Sequence, residues 1–291
     1  MQIAQFDVHG GTRRYPKKSS GGSKKDSHGG IAVHKPRMTR SPPGSPDMSI
    51  RWLSALIFVL SWPVLAADHG AAHFFFYRIN PGDEAKFEAG YQRHLDWHRQ
   101  HRDPLTWYGW TVEDGERDGF FVDASVGEPY EAFDHRVDLA DDAADAKVHV
   151  SPYVTPTGRP TFQLLRKVST ATPLEDKEPS KRVQVTFVSV RPGHERQFEQ
   201  SLVVSRKALL SMREAPAHTW YRLVTGGEST QYMLMVARDD WASFDRFHED
   251  VPALLAGDEG ALRAFSAAVR DMRTEMWRYR PELSNLTKTG P

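Results

Sequence analysis

The chain has 291 residues, enough for one large domain or two small ones with a substantial core. Basic and acidic side chains both number 38, but residues 1–47 hold nine lysines and arginines against three aspartates. The part from position 68 onward is therefore acidic, which argues against nucleic acid as a partner because such binding needs clustered basic groups. Cysteine is absent, which excludes disulfides, thiolate metal sites and cysteine nucleophiles.

Residues 1–47 are rich in glycine, serine, proline and lysine and show no apolar periodicity. Such a segment buries too little apolar surface to offset its ordering entropy, so it is predicted to be disordered. A basic tail that binds nucleic acid is the functional alternative.

Residues 48–67 have the pattern of a signal peptide that starts at Met48. Arg51 gives a minimal positive region, the apolar run 52–60 follows, and small residues allow cleavage after Ala66 or Ala67. The run is too short for a stable membrane span. Export to the periplasm or the medium is predicted, with an uncleaved anchor as the alternative. Whether Met1 or Met48 is the true start stays open, and residues 1–47 are interpreted as a mis-assigned start.

The rest of the chain reads as one order of elements, β-α-β-β-α-β, that occurs twice. In the first copy, module 1 (68–170), the predicted elements are a strand at 73–79, a helix from 83 to about 101, strands at 105–112 and 119–125, a helix at 129–146, a proline-rich loop at 151–160 and a strand at 161–169. A linker (171–181) follows. In module 2 (182–284) they are a strand at 182–190, a helix at 193–213, strands at 218–224 and 231–237, helices at 240–255 and 258–277, and a short strand at 277–283. Residues 285–291 are a tail.

Two matching motifs set the register between the copies. Pro81-Gly82 and Pro192-Gly193 each close a strand and open a helix, at an offset of 111 residues. The tripeptide Thr-Trp-Tyr recurs at 106–108 and 219–221, an offset of 113. Matches in one order indicate a duplication, so the predicted fold class is α+β with tandem ferredoxin-like modules that form one barrel within the chain.

This arrangement resembles the dimeric α+β barrel superfamily. That group includes antibiotic-biosynthesis-monooxygenase-like domains, NIPSNAP-type proteins, haem-degrading monooxygenases and tandem chlorite dismutase-like proteins. The resemblance covers about residues 72–283 and implies that two antiparallel sheets pair into a barrel. The residues agree, because strands that are apolar on both faces need burial on both sides.

The first helix of each copy carries a side-chain stripe at helical spacing, and the two stripes differ. Copy two has a mostly apolar stripe of Phe198, Leu202, Ser205, Leu209 and Met212. Copy one has Phe87, Tyr91, His94, His98 and His101 at the matching positions. The difference predicts a polar ligand pocket between helix and sheet in copy one, with Trp107 or Trp110 as walls. The alternative is that these histidines are ordinary surface or core residues.

Three positions are candidates for a metal or a cofactor. His94 and His98 are spaced i and i+4, so they can share a metal ion. Cleavage after Ala66 would place His69 third from the amino terminus, where a free amine, two amides and an imidazole can hold Cu(II) or Ni(II).

The resemblance adds His248, because some haem-degrading members ligate iron through a histidine on the second helix. Those members also need an asparagine on the first strand and a tryptophan on the third. Here Asn80 lies in the other module and the third strands carry no tryptophan, which departs from the pattern.

The sequence requires no cofactor and leaves ligand identity, enzymatic activity and oligomeric state open. The leading interpretation is an exported protein that binds a small apolar or aromatic molecule in module 1. The alternatives are a monooxygenase-like enzyme, cofactor-free or haem-dependent, acting on such a molecule, and a non-catalytic structural module.

Overall fold

The computed structural model describes residues 70–286, which form nine strands and six α-helices in that range. The strands are β1 (Ala71–Ile79), β2 (Tyr108–Asp114), β3 (Phe121–Glu128), β4 (Val154–Gly158), β5 (Thr161–Leu164), β6 (Arg182–Val190), β7 (His218–Thr225), β8 (Gln231–Arg238) and β9 (Val269–Tyr279). The helices are α1 (Glu84–Gln100), α2 (Leu139–His149), α3 (Glu195–Ser211), α4 (Ser243–Arg246), α5 (Val251–Leu255) and α6 (Glu259–Ala268).

Eight of the strands close into an antiparallel barrel. The N-terminal half contributes the order β5-β1-β3-β2 and the C-terminal half the order β9-β6-β8-β7. The halves join where β2 pairs with β9 and where β5 pairs with β7. The remaining strand, β4, pairs with the C-terminal part of β1, whereas β5 pairs with the N-terminal part of β1. Closure leaves none of the eight with an open edge, and the predicted fold class is confirmed.

The barrel interior is aromatic. The rings that meet there are those of Phe74, Trp110, Phe162, Tyr221 and Trp277. The centroids of the contacting pairs are 5.7 to 6.5 Å apart. Successive strand residues face opposite sides, so Phe74 and Phe76 point inward while Phe75 and Tyr77 point outward under the helices. Each half thus has a second core between sheet and helices: one around α1, and one around α3, α5 and α6.

The two Pro-Gly motifs adopt the same turn. Gly82 and Gly193 have φ of 83° and 85°, in the left-handed region that a side chain disfavours. Asp83 and His194 then occupy the N-cap positions of α1 and α3. The shared motif is therefore turn chemistry that starts a helix after a strand in both halves.

Several predicted stretches are wrong, two of them in strands of the sheet. Residues 269–277 form most of β9 instead of the end of a helix, because β9 pairs along its length with β6 and also with β2. Its apolar spacing fits a helix locally, but the barrel needs this strand to close. The loop predicted at 151–160 contains β4, whose Pro156 is tolerated because β4 pairs only with β1.

Helix α1 lies unusually close to the end of α2, at Gly90. A Cβ added there would sit 1.9 Å from the carbonyl oxygen of His149. We therefore expect Gly90→Ala to destabilise the protein by about 1–3 kcal/mol, because overpacking outweighs the usual helix preference for alanine. Gly257→Ala, whose Cβ would meet nothing within 4 Å, is the control. Urea unfolding measures both, and equal midpoints would contradict this packing.

The predictions for residues 1–69, including the signal peptide and His69, lie outside the described residues, as do those for 287–291. Within the described part, the helices are all too short or too polar to span a bilayer. Export through a segment beginning at Met48 stays a prediction.

Candidate functional site

A cavity of about 250 Å³ lies between α1, α2 and the outward face of β1 and β3. One wall is aromatic, one is the apolar side of α2, and between them lie charged groups. The lining residues are Phe75, Tyr77, Tyr91, His94, His98, Trp107, Asp123, Arg136, Leu139, Asp142, Ala143, Ala146, Val150 and Arg159.

The α1 side of the cavity follows from helix periodicity. Tyr91, His94 and His98 are spaced by three and four residues, so one face of α1 presents all three. Phe87 and Leu95 anchor the helix in the apolar core beneath them. Tyr91, His94 and His98 all line the cavity from the inner face of α1.

Asp123 is the carboxylate that β3 contributes. It pairs across the strands with Phe75, so both side chains face α1 rather than the barrel interior. The Tyr91 hydroxyl donates to Asp123 Oδ2 at 2.8 Å, whereas Oδ1 has no hydrogen-bond partner among the described residues. Only 3% of Asp123 is exposed.

Burial governs the acidity of Asp123. Loss of water raises the pKa of this carboxyl to about 7, against the lowering effects of the Tyr91 hydrogen bond and of Arg136 and Arg159. Burial also raises the pKa of the Tyr91 hydroxyl, and Asp123 raises it further. Asp123 is therefore a group in the cavity that can gain and lose a proton near neutral pH.

The two histidines are each held between carboxylates. His94 Nδ1 lies 2.8 Å from Asp145 Oδ2, and its Nε2 lies 3.4 Å from Asp142 Oδ1. His98 Nδ1 lies 2.7 Å from Asp103 Oδ2, and its Nε2 lies 3.6 Å from the same Asp142 Oδ1. Burial lowers the pKa of His94, opposed by the hydrogen bond with Asp145.

Asp103, just past the end of α1, connects the helix to the Trp107 wall. Its Oδ2 accepts from Trp107 Nε1 at 2.9 Å, and its Oδ1 accepts from the Leu105 amide at 3.0 Å. Burial would raise the pKa of Asp103, but contacts with His98, Leu105 and Trp107 bring it below its usual value. Asp103 is thus an ionised anchor for both rings.

In the C-terminal half, the space between the sheet and its helices is filled with apolar side chains. The strand register places Leu234 opposite Thr186, where the N-terminal half has Asp123 opposite Phe75. Leu202, Phe265 and Leu234 pack there in a continuous buried cluster. The polar cavity is therefore a property of the N-terminal half and not of the fold.

Three of the residues singled out in the sequence lie elsewhere. His101 is exposed at the end of α1, where its ring stacks on Trp97 at 4.0 Å. Trp110 is buried inside the barrel, because its position on β2 faces the opposite side from Trp107. His248 is exposed in the loop between α4 and α5, a region that was predicted as one continuous helix.

Sequence reasoning missed Asp123, Asp142 and Arg136. Asp123 had a signal, since it is a lone carboxylate inside the apolar run Phe120–Val126. Asp142 and Asp145 share a helix face by their spacing, but which face of α2 meets α1 depends on docking.

A second cavity, of about 340 Å³, lies at one end of the barrel. Its charged groups are paired: Arg117 donates twice to Glu275, and Arg273 pairs with Glu116 and Asp271. Glu228 pairs with Arg270, outside the lining. No side-chain atom of its lining residues is both buried and without a partner. This cavity is the weaker candidate.

Neither a family model nor a curated protein matches the sequence. Solved structures do match the fold. A candidate monooxygenase from Lactobacillus acidophilus superposes with a TM-score of 0.50 at 8% identity, covering 75% of this chain and 96% of that one. A candidate chlorite dismutase gives 0.50 at 12% identity, covering 74% and 96%. At such low identity the likeness establishes the fold alone, an α+β fold with a closed antiparallel barrel.

Proposed function

We propose that the cavity of the N-terminal half binds a small single-ring aromatic molecule that carries an ionisable hydroxyl group. The observation that carries the proposal is Asp123 Oδ1, buried and without a partner among the described residues. A polar atom left in this state costs about 1–3 kcal/mol. A ligand hydroxyl that hydrogen-bonds to this oxygen removes that cost when it binds.

The walls favour an aromatic ring. Phe75, Tyr77 and Trp107 provide apolar faces, and the cavity volume of about 250 Å³ is below the roughly 300–1,000 Å³ typical of drug-sized ligands. Arg136 lies over Trp107 at 5.6 Å and Arg159 over Phe75 at 5.3 Å. These two cations favour a ligand oxygen that carries negative charge.

The second candidate is a monooxygenase-like enzyme that needs no bound cofactor. A carboxyl with a pKa near 7 is suited to remove a proton from a hydroxyarene, which makes the ring easier to oxidise. The monooxygenase name of the Lactobacillus acidophilus relative agrees with this activity. Binding comes first in either case, and a purely structural barrel would bind no such molecule.

The histidine that the resemblance indicates as a haem ligand does not lie in a site that could hold haem. His248 is exposed and lines neither of the two cavities discussed above. The cavity beside His94 and His98 is too small for a tetrapyrrole, which exceeds drug-sized ligands in its rigid area. We therefore assign no step to haem.

Titration with 4-nitrophenol tests the proposal, because its absorbance reports both binding and ionisation. We expect saturable binding to the unsubstituted chain, at least about 10-fold weaker in Asp123→Leu, since a hydrogen bond to a charged group contributes about 1.5–3 kcal/mol. Leucine is the residue that the C-terminal half carries at this place. Asp271→Asn, in the barrel-end cavity, should bind as tightly as the parent chain.

Two results would contradict the proposal. One is an affinity for 4-nitrophenol that Asp123→Leu leaves unchanged. The other is a loss of binding in Asp271→Asn, which would move the site to the barrel end.

A further inference from the structure

Three potential ligand atoms converge where α1 meets α2. Both histidine Nε2 atoms approach one oxygen, Asp142 Oδ1, at 3.4 Å for His94 and 3.6 Å for His98. The ligand atoms of the three residues lie within 4.8 Å of one another. The separations from Asp142 are longer than the 2.7–3.2 Å of an ordinary N–H···O hydrogen bond. The three groups are therefore held close without being bonded to each other.

The opposite side of each ring explains why the Nε2 atoms are available. Each Nδ1 lies within 2.8 Å of its own carboxylate, Asp145 for His94 and Asp103 for His98. His94 Nδ1 is hydrogen-bonded to Asp145 and so carries the proton, which leaves the lone pair of the neutral imidazole on Nε2. The short distance from His98 Nδ1 to the Asp103 carboxylate favours the same tautomer in His98, although this nitrogen makes no well-aligned hydrogen bond among the described residues. Two nitrogen lone pairs and one carboxylate oxygen then lie close together, and a cation between them makes this arrangement favourable.

We propose that His94 Nε2, His98 Nε2 and Asp142 Oδ1 bind a divalent first-row transition-metal ion. Zinc bonds of about 2.0–2.1 Å at a tetrahedral angle separate two ligand atoms by roughly 3.3 Å, close to the distances in this cluster. Two histidines and one carboxylate on one side of an ion leave its other positions open toward the cavity.

The charges around the three ligands suit a dication. Asp103, Asp142 and Asp145 contact the histidines. Among residues 70–286, the one guanidinium that pairs with this group is that of Arg136, which donates to Asp142 Oδ2 at 2.7 Å. Asp103 and Asp145 would then be positioning residues that hold each ring in the metal-binding tautomer. Asp103 is itself fixed by Trp107 and by the Leu105 amide.

The C-terminal half provides the matched substitutions. At the equivalent positions of α3 it carries Ser205 for His94 and Leu209 for His98, both buried in a packed helix. The double variant His94→Ser/His98→Leu therefore removes both imidazoles with side chains that this helix position accommodates in the same fold. His101→Ala is the control, because His101 is exposed and outside the cluster.

Equilibrium dialysis of the full chain with Zn(II), followed by Co(II) absorption spectra, tests the site. We expect the parent chain and His101→Ala to bind one more ion than the double variant, since histidines before residue 70 contribute equally to all three. Asp103→Asn and Asp145→Asn should keep the stoichiometry and lose about 10–100-fold in affinity. The Co(II) spectrum should change in Asp142→Asn.

Equal Zn(II) stoichiometry in the parent chain and the double variant would overturn the proposal and leave the cluster as a hydrogen-bonded link between α1 and α2. If the double variant does not fold, the near-isosteric His98→Gln and Asp142→Asn decide, and unchanged Zn(II) affinity in both overturns the site. No organic ligand is present in these measurements, so their result is independent of aromatic binding at Asp123.

Discussion

Replacing Asp123 with asparagine is expected to remove a large pH dependence from the stability of the protein. The folded-state pKa of Asp123 is about 7, against an ordinary value of 3.8. Between these values the folded protein holds a proton that the unfolded chain has released, so stability falls as the pH rises from about 4 to 7. At 1.36 kcal/mol per pKa unit, the free energy of unfolding falls by roughly 4 kcal/mol over this pH range. The Asp123→Asn variant should not show this fall.

The groups that face Asp123 set the direction of this effect. Burial raises the pKa, while Tyr91 on α1 and the two arginines, Arg136 and Arg159, lower it, and Asp142 on α2 raises it. Because burial dominates, the charged form destabilises the fold at high pH. The C-terminal half carries Leu234 at the matching place and has no such titration.

Urea unfolding at intervals from pH 4 to pH 8, with EDTA present to remove metal, measures this prediction. The quantity to compare is the unfolding free energy of the parent chain minus that of Asp123→Asn, because other titrating groups cancel in the difference. Asp271→Asn, an exposed carboxylate, serves as the control and should track the parent chain. A difference that stays flat across the range would show that Asp123 is ionised and solvated.

Replacing Trp277 with alanine should produce the second large effect, a loss of about 3–5 kcal/mol in unfolding free energy. Trp277 is fully buried on β9 and contacts Phe74, Phe76, Trp110 and Phe187 inside the barrel, with ring centroids 5.9 to 6.3 Å away. A closed barrel cannot collapse around the missing ring, so most of the cavity would remain.

Trp241→Ala is the matched control, because half of that ring is exposed and the substitution should change stability by no more than about 0.5 kcal/mol. Denaturant unfolding monitored by circular dichroism avoids the change in tryptophan fluorescence. A loss below about 1.5 kcal/mol for Trp277→Ala would be inconsistent with β9 as a barrel strand. The result therefore also tests the strand assignment that replaced the predicted helix.

The proposed aromatic site and the proposed metal site share one cavity but depend on different atoms. Asp123 and Tyr91 form the β3 side, whereas His94, His98 and Asp142 form the side where α1 meets α2. Binding of a hydroxyarene and binding of a metal ion can thus be measured separately. If both occur, the open positions of the ion and Asp123 Oδ1 face the same ligand.

The local features of this protein were readable from its sequence. A glycine with positive φ after each first strand is required by the turn itself, so Pro81-Gly82 and Pro192-Gly193 each mark the step from a strand to a helix. Helix periodicity alone places Tyr91, His94 and His98 on one face. Comparison with Leu202 and Leu209 then pointed to the half that holds the cavity.

Contacts between segments that are distant in the sequence follow only from the tertiary structure. Whether residues 269–277 form helix or strand depends on the open edges of β2 and β6, which no local pattern encodes. Strand parity and docking turn Trp107 toward the cavity and Trp110 into the barrel. Asp103, Asp123 and Asp142 come from three separate segments, so only the packing of α1 and α2 on the sheet brings their carboxylates to Tyr91 and His98.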